Sequence, residues 1–385
     1  MKAMILAAGE GTRVRPITFM LPKPMIPLVR APVMELIIQH LKSFGIDQII
    51  INTSHLAPLI ENYFRDGDRL NVQIAYSFEG KLVDRELRGE ALGSAGGMKK
   101  VQDFSGFFDG TFMVVCGDAF IDLDISKVLE FHITKKSIAT IVLKDIPRSN
   151  VYKYGVVQTD DTGRILKFQE KPKIEEAIST VINTGIYIFE PEVFDYIPTG
   201  VKYDIANDLF PGLLQANKPV YGVSIPFQWI DIGSIPDYWE ASRLILLEKV
   251  KGYSIPGHQI KKGIHTGINL KLNLDKLKIV PPVYIGSGTS VGDGAEIRGP
   301  TVIGSNCVID PGAIIRECLI SDYTRISSVA KLERKIIFGK NCIDPSGESL
   351  DIEEYHIGWV VDDVRKESEI SETHKLLIEL AKELL

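Results

Sequence analysis

Cysteine is scarce in this chain: four in 385 residues, at positions 116, 307, 318 and 342, with no C-x-x-C spacing. That excludes a disulfide framework and the usual zinc ribbons, and fits thiols kept in a reducing compartment. No block of five or more basic residues occurs, and 44 Lys plus Arg stand against 50 Asp plus Glu, a net charge of −6. Nucleic acid is thereby excluded as the expected partner. No apolar run reaches the roughly 18 residues that a membrane helix needs. The apolar start from Met1 to Ala8 is broken by Gly9 and Glu10 before it attains signal-peptide length. The chain is therefore expected in the cytoplasm, away from membranes. Histidine is sparse too, with seven residues and none beside a Ser or Cys motif that would suggest nucleophilic catalysis.

What is present is a composition of 45% hydrophobic and 24% charged residues, over a length that suits two domains of a globular enzyme. Up to about residue 250, short β-branched or aromatic runs alternate with amphipathic stretches, the pattern of βαβ units on a mostly parallel sheet. Strands are expected at 4–7, 48–52, 72–78, 112–116, 139–143, 154–158 and 185–189. Helices are expected at 32–44, 58–65, 93–101 and 204–215, the first with Pro in its opening turn and Gly45 behind it.

The pattern changes after residue 250, where Gly and Pro thicken and the alternation stops. From Ile285 an aliphatic residue recurs every six positions, at Val291, Ile297, Ile303, Ile309 and Ile315. After a one-residue deletion the register resumes at Ile320, Ile326, Leu332 and Phe338. A period of six fits one side of a triangular parallel β-helix, roughly three coils of about 18 residues. The division expected is 1–250 for an α/β catalytic domain, 251–282 for an entry segment, 283–345 for the coil and 346–385 for a tail. That tail ends in a Leu-rich amphipathic helix over 371–385. The coil and that helix suggest a homo-oligomer.

The most informative segment directly follows the first expected strand: Leu6, Ala7, Ala8, Gly9, Glu10, Gly11, Thr12, Arg13, Val14, Arg15, then Pro22, Lys23 and Pro24. Gly9 and Gly11 let main-chain N–H groups approach phosphate oxygens, Thr12 adds a hydroxyl, and Arg13, Arg15 and Lys23 supply positive charge. This is a polyphosphate-binding arrangement. It is no dinucleotide fingerprint, because Val14 stands where the third glycine belongs, and no Walker A loop, because no Gly-Lys-Ser/Thr closes it.

LAAGEGTR followed by PKP closely resembles the opening signature of the sugar-1-phosphate nucleotidylyltransferases, the NDP-sugar pyrophosphorylases. The family's later motifs follow in order: Gly117-Asp118 after a strand, Glu170-Lys171-Pro172, Asn183-Thr184-Gly185 and Trp229-Ile230-Asp231-Ile232-Gly233. Leu92-Gly93-Ser94-Ala95-Gly96 nearly copies the base-side loop, with Ser where Thr is usual. The resemblance spans essentially the whole chain. It implies a Rossmann-like α/β domain with a mixed, mostly parallel sheet, followed by a left-handed β-helix of hexapeptide repeats.

It also implies roles. Arg13 and Lys23 would neutralise the departing pyrophosphate. Leu6, Ala8, Gly9, Gly11, Thr12, Glu79, Gly93, Ser94 and Gly117 would bind the nucleotide. Gly155, Glu170, Lys171, Asn183 and Thr184 would hold the sugar phosphate, and Asp118 and Asp231 a Mg²⁺ ion. In such chemistry two anions are brought together while charge spreads over phosphate oxygens, so cations and positioning carry the rate. The substrates implied are a nucleoside triphosphate and a hexose 1-phosphate, UTP with glucose 1-phosphate or, nearly level, GTP with mannose 1-phosphate. Two other classes compete: a non-catalytic scaffold relative, which the surviving charged residues oppose, and an acyltransferase coil. The coil chemistry commonly uses a His base, and no histidine lies between Pro281 and Cys342.

Overall fold

A computed structural model describes residues 1–366. The expected helix at 371–385 lies outside the described residues. The chain divides into two compact units. The first comprises 1–11, 21–26 and 33–230; the second comprises 12–20, 27–32 and the described residues from Asp231 onward.

The first unit is built on a nine-stranded mixed sheet: β1 (Lys2–Ala7), β2 (Gln48–Thr53), β3 (Gln73–Phe78), β4 (Phe112–Cys116), β5 (Ala139–Asp145), β6 (Gly155–Thr159), β7 (Ile165–Glu170), β8 (Val181–Phe189) and β9 (Val220–Ser224). The order is β7-β6-β8-β4-β1-β2-β3, with β5 pairing β8 and β9. β4, β1, β2 and β3 run parallel, whereas β8 is antiparallel to β4 and to β5. Every strand expected from the sequence is present within a few residues. β7 and β9 are additional, as is an exposed hairpin, Gly80–Val83 with Glu86–Gly89.

Alternation along the strands builds two cores on opposite faces. Ala3, Ile5 and Ala7 of β1, with Met113 and Val115 of β4, meet α1 (Val33–Ser43), α2 (Ala57–Phe64) and α4 (Ile125–Lys135). Met4, Phe112 and Val114 turn the other way, toward α3 (Ser94–Ser105) and α5 (Phe210–Gln215). Phe112 stacks on Phe194 with centroids 5.5 Å apart and an interplanar angle of 7°. Burying each such side chain stabilises the fold by about 1.5–3 kcal/mol. The helix expected at 204–215 begins with a π turn, Ile205–Leu209, capped by Asp204, before α5 proper. α4 is capped by Asp124, and in the second unit α6 (Ile235–Leu246) is capped by Ser234.

In the second unit three stacks of short parallel strands wind into a coil of hexapeptide repeats, consistent with a left-handed β-helix. Ile285, Ile303 and Ile320 lie directly above one another, as do Ile297 and Ile315, and Ile309 and Ile326. The step from Ile285 to Ile303 is 18 residues and from Ile303 to Ile320 it is 17. One expectation is corrected: Ile337, not Phe338, pairs with Ile320 and is fully buried, because a second residue is dropped between Leu332 and Ile337. Strands His258–Lys261, Ile264–Thr266 and Lys278–Val280, within the expected entry segment, already pair onto the coil's sheets.

Candidate active site

The parallel strands β1 to β4 place their carboxyl ends along one edge, where open α/β sheets bind ligands. β1 ends at Ala7, and Ala8 to Gly11 follow. Nothing lies within 4 Å of where a Cβ on Gly9 would stand, so packing within the protein does not demand glycine there. Gly11 adopts a left-handed φ of 64°. Thr12 and Arg13 open a 3₁₀ turn, are exposed, and belong to the second unit.

A relay of hydrogen bonds runs beneath this edge. The Ala7 N–H donates to Asn52 Oδ1 at 2.7 Å, Asn52 Nδ2 donates to Glu79 Oε1 at 2.8 Å, and the Leu92 N–H donates to Glu79 Oε2 at 2.7 Å. Glu79 is 1% exposed. Burial raises its pKa, opposed by the bonds from Asn52 and Leu92. Glu79 was expected against the nucleotide; instead its carboxylate faces inward and both oxygens accept bonds from the protein.

Ser94 is similarly committed. Its hydroxyl donates to Asp204 Oδ2 at 2.7 Å and accepts the Ile205 N–H at 2.8 Å. The N–H groups of Ala95 and Gly96 donate to the Tyr203 carbonyl. The side chain expected to touch the base therefore fastens the start of α3 to the segment before α5. Gly93, with φ 77°, packs so closely that a Cβ would stand 2.5 Å from the same carbonyl.

At the end of β4 the Gly117 N–H donates to the Leu6 carbonyl at 2.9 Å, tying the two strand ends together. Asp118 follows, and Lys23 forms an ion pair with it; the two side chains are only 23% and 12% exposed. Asp118 leads into Ala119–Ile121, which pairs with the strand Trp229–Asp231. Asp122 holds Gln228 by both carboxylate oxygens, accepting its N–H at 2.5 Å and its Nε2 at 2.6 Å. Asp231 is the first residue of the second unit, and a Cβ on Gly233 would stand 2.7 Å from its Oδ2.

The residues expected to hold the sugar phosphate lie on or beside β6, β7 and β8. Gly155 lies opposite Glu170. Glu170 Oε1 pairs with Lys171 Nζ at 2.8 Å, and Lys171 adopts a φ of 42° that turns the chain out of β7. Asn183 Nδ2 donates to the Tyr187 hydroxyl at 2.9 Å, and its Oδ1 accepts the Gly185 N–H at 2.9 Å. Thr184 is buried and its hydroxyl donates to the Val142 carbonyl at 2.7 Å.

Among the described residues no group of three or more His, Cys, Asp and Glu is arranged to hold a metal. Magnesium needs fewer protein donors, because one or two carboxylates suffice when phosphates of the substrate and waters complete its six oxygens. Asp118, at the end of β4 with its side chain 23% exposed, is a hard oxygen donor of the kind such an ion takes. Sequence reasoning missed Asn52, Asp122 and Asp204 as site residues; an Asn directly after the aliphatic run Ile49 to Ile51 was the available signal for the first.

Residues 2–248 match the family described as nucleotidyl transferase, and residues 282–317 match bacterial transferase hexapeptide (six repeats). The chain is 53% identical over 365 residues to the UTP–glucose-1-phosphate uridylyltransferase of Synechocystis sp., covering 95% of this chain and 94% of that protein. It is 30% identical over 345 residues to mannose-1-phosphate guanylyltransferase 1 of Arabidopsis thaliana, covering 88% and 86%. A UDP-glucose pyrophosphorylase solved with UDP-glucose superposes with a TM-score of 0.53 at 21% identity, over 64% of this chain and 98% of the other. HddC from Yersinia pseudotuberculosis, solved with GMP-PN, gives 0.52 at 24%, over 63% and 99%. With the ordered motifs, the mixed sheet and a matching span of more than half its length, this chain belongs to the nucleotidyl transferase family.

Proposed function

We propose that the protein joins UTP and glucose 1-phosphate into UDP-glucose and releases pyrophosphate, with Mg²⁺ as cofactor. The observation that carries the choice of base and sugar is the 53% identity, along 95% of the chain, to a protein named for that reaction. GTP with mannose 1-phosphate is the second reading, supported by relatives at 29% and 30% identity that carry that name.

In the mechanism, an oxygen of the sugar phosphate attacks the α-phosphorus of the nucleotide and pyrophosphate leaves in line. The loop from Ala8 to Gly11 offers main-chain N–H groups to phosphate, and Arg13 and Lys23 balance the charge that collects on the leaving group. Lys171 holds the phosphate of the sugar, while Glu170 and Asn183 orient its hydroxyls. A bound Mg²⁺, held by Asp118 and Asp231, would act as Lewis acid and template for the phosphate oxygens. Lys23 also forms an ion pair with Asp118. No covalent enzyme intermediate is required, since the incoming phosphate is already a nucleophile once aligned.

The test is pyrophosphate release with Mg²⁺, crossing UTP and GTP with glucose and mannose 1-phosphates. UTP with glucose 1-phosphate is expected to give the highest kcat/KM. A preference for GTP with mannose 1-phosphate replaces the first reading by the second, and no release from any pair by folded protein removes both.

A further inference from the structure

Between Glu79 and Leu92 the chain leaves the domain as the exposed hairpin of Gly80–Val83 and Glu86–Gly89, then returns to start α3. Both ends of that excursion are fastened to one residue. The Glu79 carbonyl accepts the Glu90 N–H at 2.9 Å and the Ser54 hydroxyl at 2.8 Å, while its carboxylate accepts the Leu92 N–H. Through Asn52 the same carboxylate reaches the Ala7 N–H at the entrance to the glycine loop. Space around the carboxylate is closed off: a Cβ on Gly97, in the first turn of α3, would collide with Glu79 Oε1 and stand 3.1 Å from Asn52 Nδ2. Two loops far apart in sequence, one carrying the phosphate-binding glycines and the other the base-side run from Leu92 to Gly96, are thus held by one buried acceptor and one buried amide.

We infer that Asn52 and Glu79 are positioning residues for the nucleotide, acting through the main chain of Ala7 and Leu92 without touching the nucleotide themselves. The inference rests on the nucleotidyl transfer reading of the site, and it adds a residue, Asn52, together with a different role for Glu79. The chemistry fixes the direction of each bond. Ala7 N–H needs an acceptor, which sets Asn52 Oδ1 toward it and turns Nδ2 toward Glu79. Glu79 must then accept on both of its terminal atoms, Oε1 from Asn52 and Oε2 from Leu92, which a carboxylate does and an amide cannot.

Glu79→Gln leaves one donor facing an NH₂ group. Turning Asn52 over to relieve that would aim its own NH₂ at the Ala7 N–H. Asn52→Asp keeps the acceptor for Ala7 but sets two carboxylates against each other. Combining Asn52→Asp with Glu79→Gln reverses the middle bond and satisfies all three contacts at unchanged net charge.

The experiment measures the equilibrium dissociation constant of UTP, with GTP in parallel, for the full chain, the two single variants and the double variant. It also measures KM for glucose 1-phosphate and thermal unfolding. Each single variant is expected to weaken nucleotide binding by about tenfold to a hundredfold, the effect of an unsatisfied buried group. KM for the sugar phosphate should move by about twofold at most, since uniform binding is lost on one substrate only. The double variant is expected to recover nucleotide affinity to within about threefold of wild type, the signature of direct coupling.

Unchanged nucleotide affinity in Glu79→Gln, equal weakening toward both substrates, or a folded double variant that recovers nothing would overturn the inference. If a single variant does not fold, the double variant decides alone: folded with wild-type affinity supports the coupling, folded with weakened affinity refutes it. Because binding is the readout, a protein that binds UTP but makes no UDP-glucose would remove the proposed reaction and leave this inference standing.

Discussion

Gly155 stands directly opposite Glu170 across the β6–β7 pair, and a Cβ on it would come within 2.7 Å of the Glu170 carboxylate and 2.6 Å of the Phe168 ring. The missing side chain leaves room for the Glu170 carboxylate, which pairs with Lys171. Gly155→Ala is therefore expected to raise KM for the sugar phosphate without changing nucleotide affinity. Glu170→Gln removes the charge that pairs with Lys171 and should lower kcat/KM by about tenfold or more, the range for hydrogen bonds to charged groups. Steady-state kinetics with each substrate varied in turn checks both; an unchanged sugar-phosphate KM in Gly155→Ala would detach Glu170 from that role.

The two carboxylates assigned to the metal make a sharper demand. Asp118→Asn or Asp231→Asn should cut turnover by about two orders of magnitude or more. Titrating Mg²⁺ against pyrophosphate release is the measurement. Near-normal, Mg²⁺-dependent rates in both variants would remove the assignment.

Gly185 lies within β8 at φ 75°, and a Cβ there would be 2.6 Å from Cys116 Sγ. Gly185→Ala thus combines backbone strain with overpacking, and about 1–3 kcal/mol of stability should be lost. Adding Cys116→Ala should return the steric part and leave the backbone part. Chemical denaturation of the three variants separates the two, and full recovery would show that φ contributes nothing.

Much of the fold was legible in the sequence, for reasons tied to particular residues. β1, β2 and β4 are short apolar runs buried on both faces, and such runs announce themselves. β7 did not, because it is an edge strand with Leu166 and Lys167 exposed; nor did β9, interrupted by Gly222. α4 and α6 carry N-caps in the sequence, Asp124 and Ser234, but a single Asp or Ser is as common in turns as at helix starts. In the coil the six-residue rhythm was plain until its second dropped residue placed Phe338 one position beyond its stack. In the site, motif residues were legible as a set, but not the inward turn of Glu79 and Ser94. Direction of a side chain is decided by partners such as Asn52 and Asp204, which lie far away in sequence.

Acid should destabilise the first unit through His132. Its ring is 1% exposed, 2.8 Å from the Thr140 hydroxyl and 3.0 Å from Glu190 Oε1. Burial lowers its pKa from 6.5, and the Glu190 carboxylate only partly offsets that. His40 is lowered in the same direction, again by burial. Below pH 6.5 the unfolded chain binds protons that the folded one refuses, so the stability is present above that pH and is lost as pH falls. Melting temperatures between about pH 5 and 8 should show this slope, and it should flatten in His132→Gln; an identical slope in the variant would exclude His132 as its source.

Burial pushes the thiols of Cys307 and Cys318, inside the coil, up to about 12. Both should resist alkylation at neutral pH in the folded protein and react on unfolding. Mass spectrometry of iodoacetamide-treated protein reads this directly, and native labelling at either site would show that the coil opens.

The steps of 18 and then 17 residues that stack Ile285, Ile303 and Ile320 make length in this unit a quantised property. A whole turn added or removed leaves every aliphatic above an aliphatic and alters only the height of the column. A single residue inserted within a flat side would reverse inward and outward positions for the rest of that strand, because neighbouring side chains face opposite ways. The two omissions already tolerated lie between Ile315 and Ile320 and between Leu332 and Ile337, each between the end of one short strand and the start of the next. Corners are therefore the places where this column absorbs a change of count, and flat sides are where it keeps time.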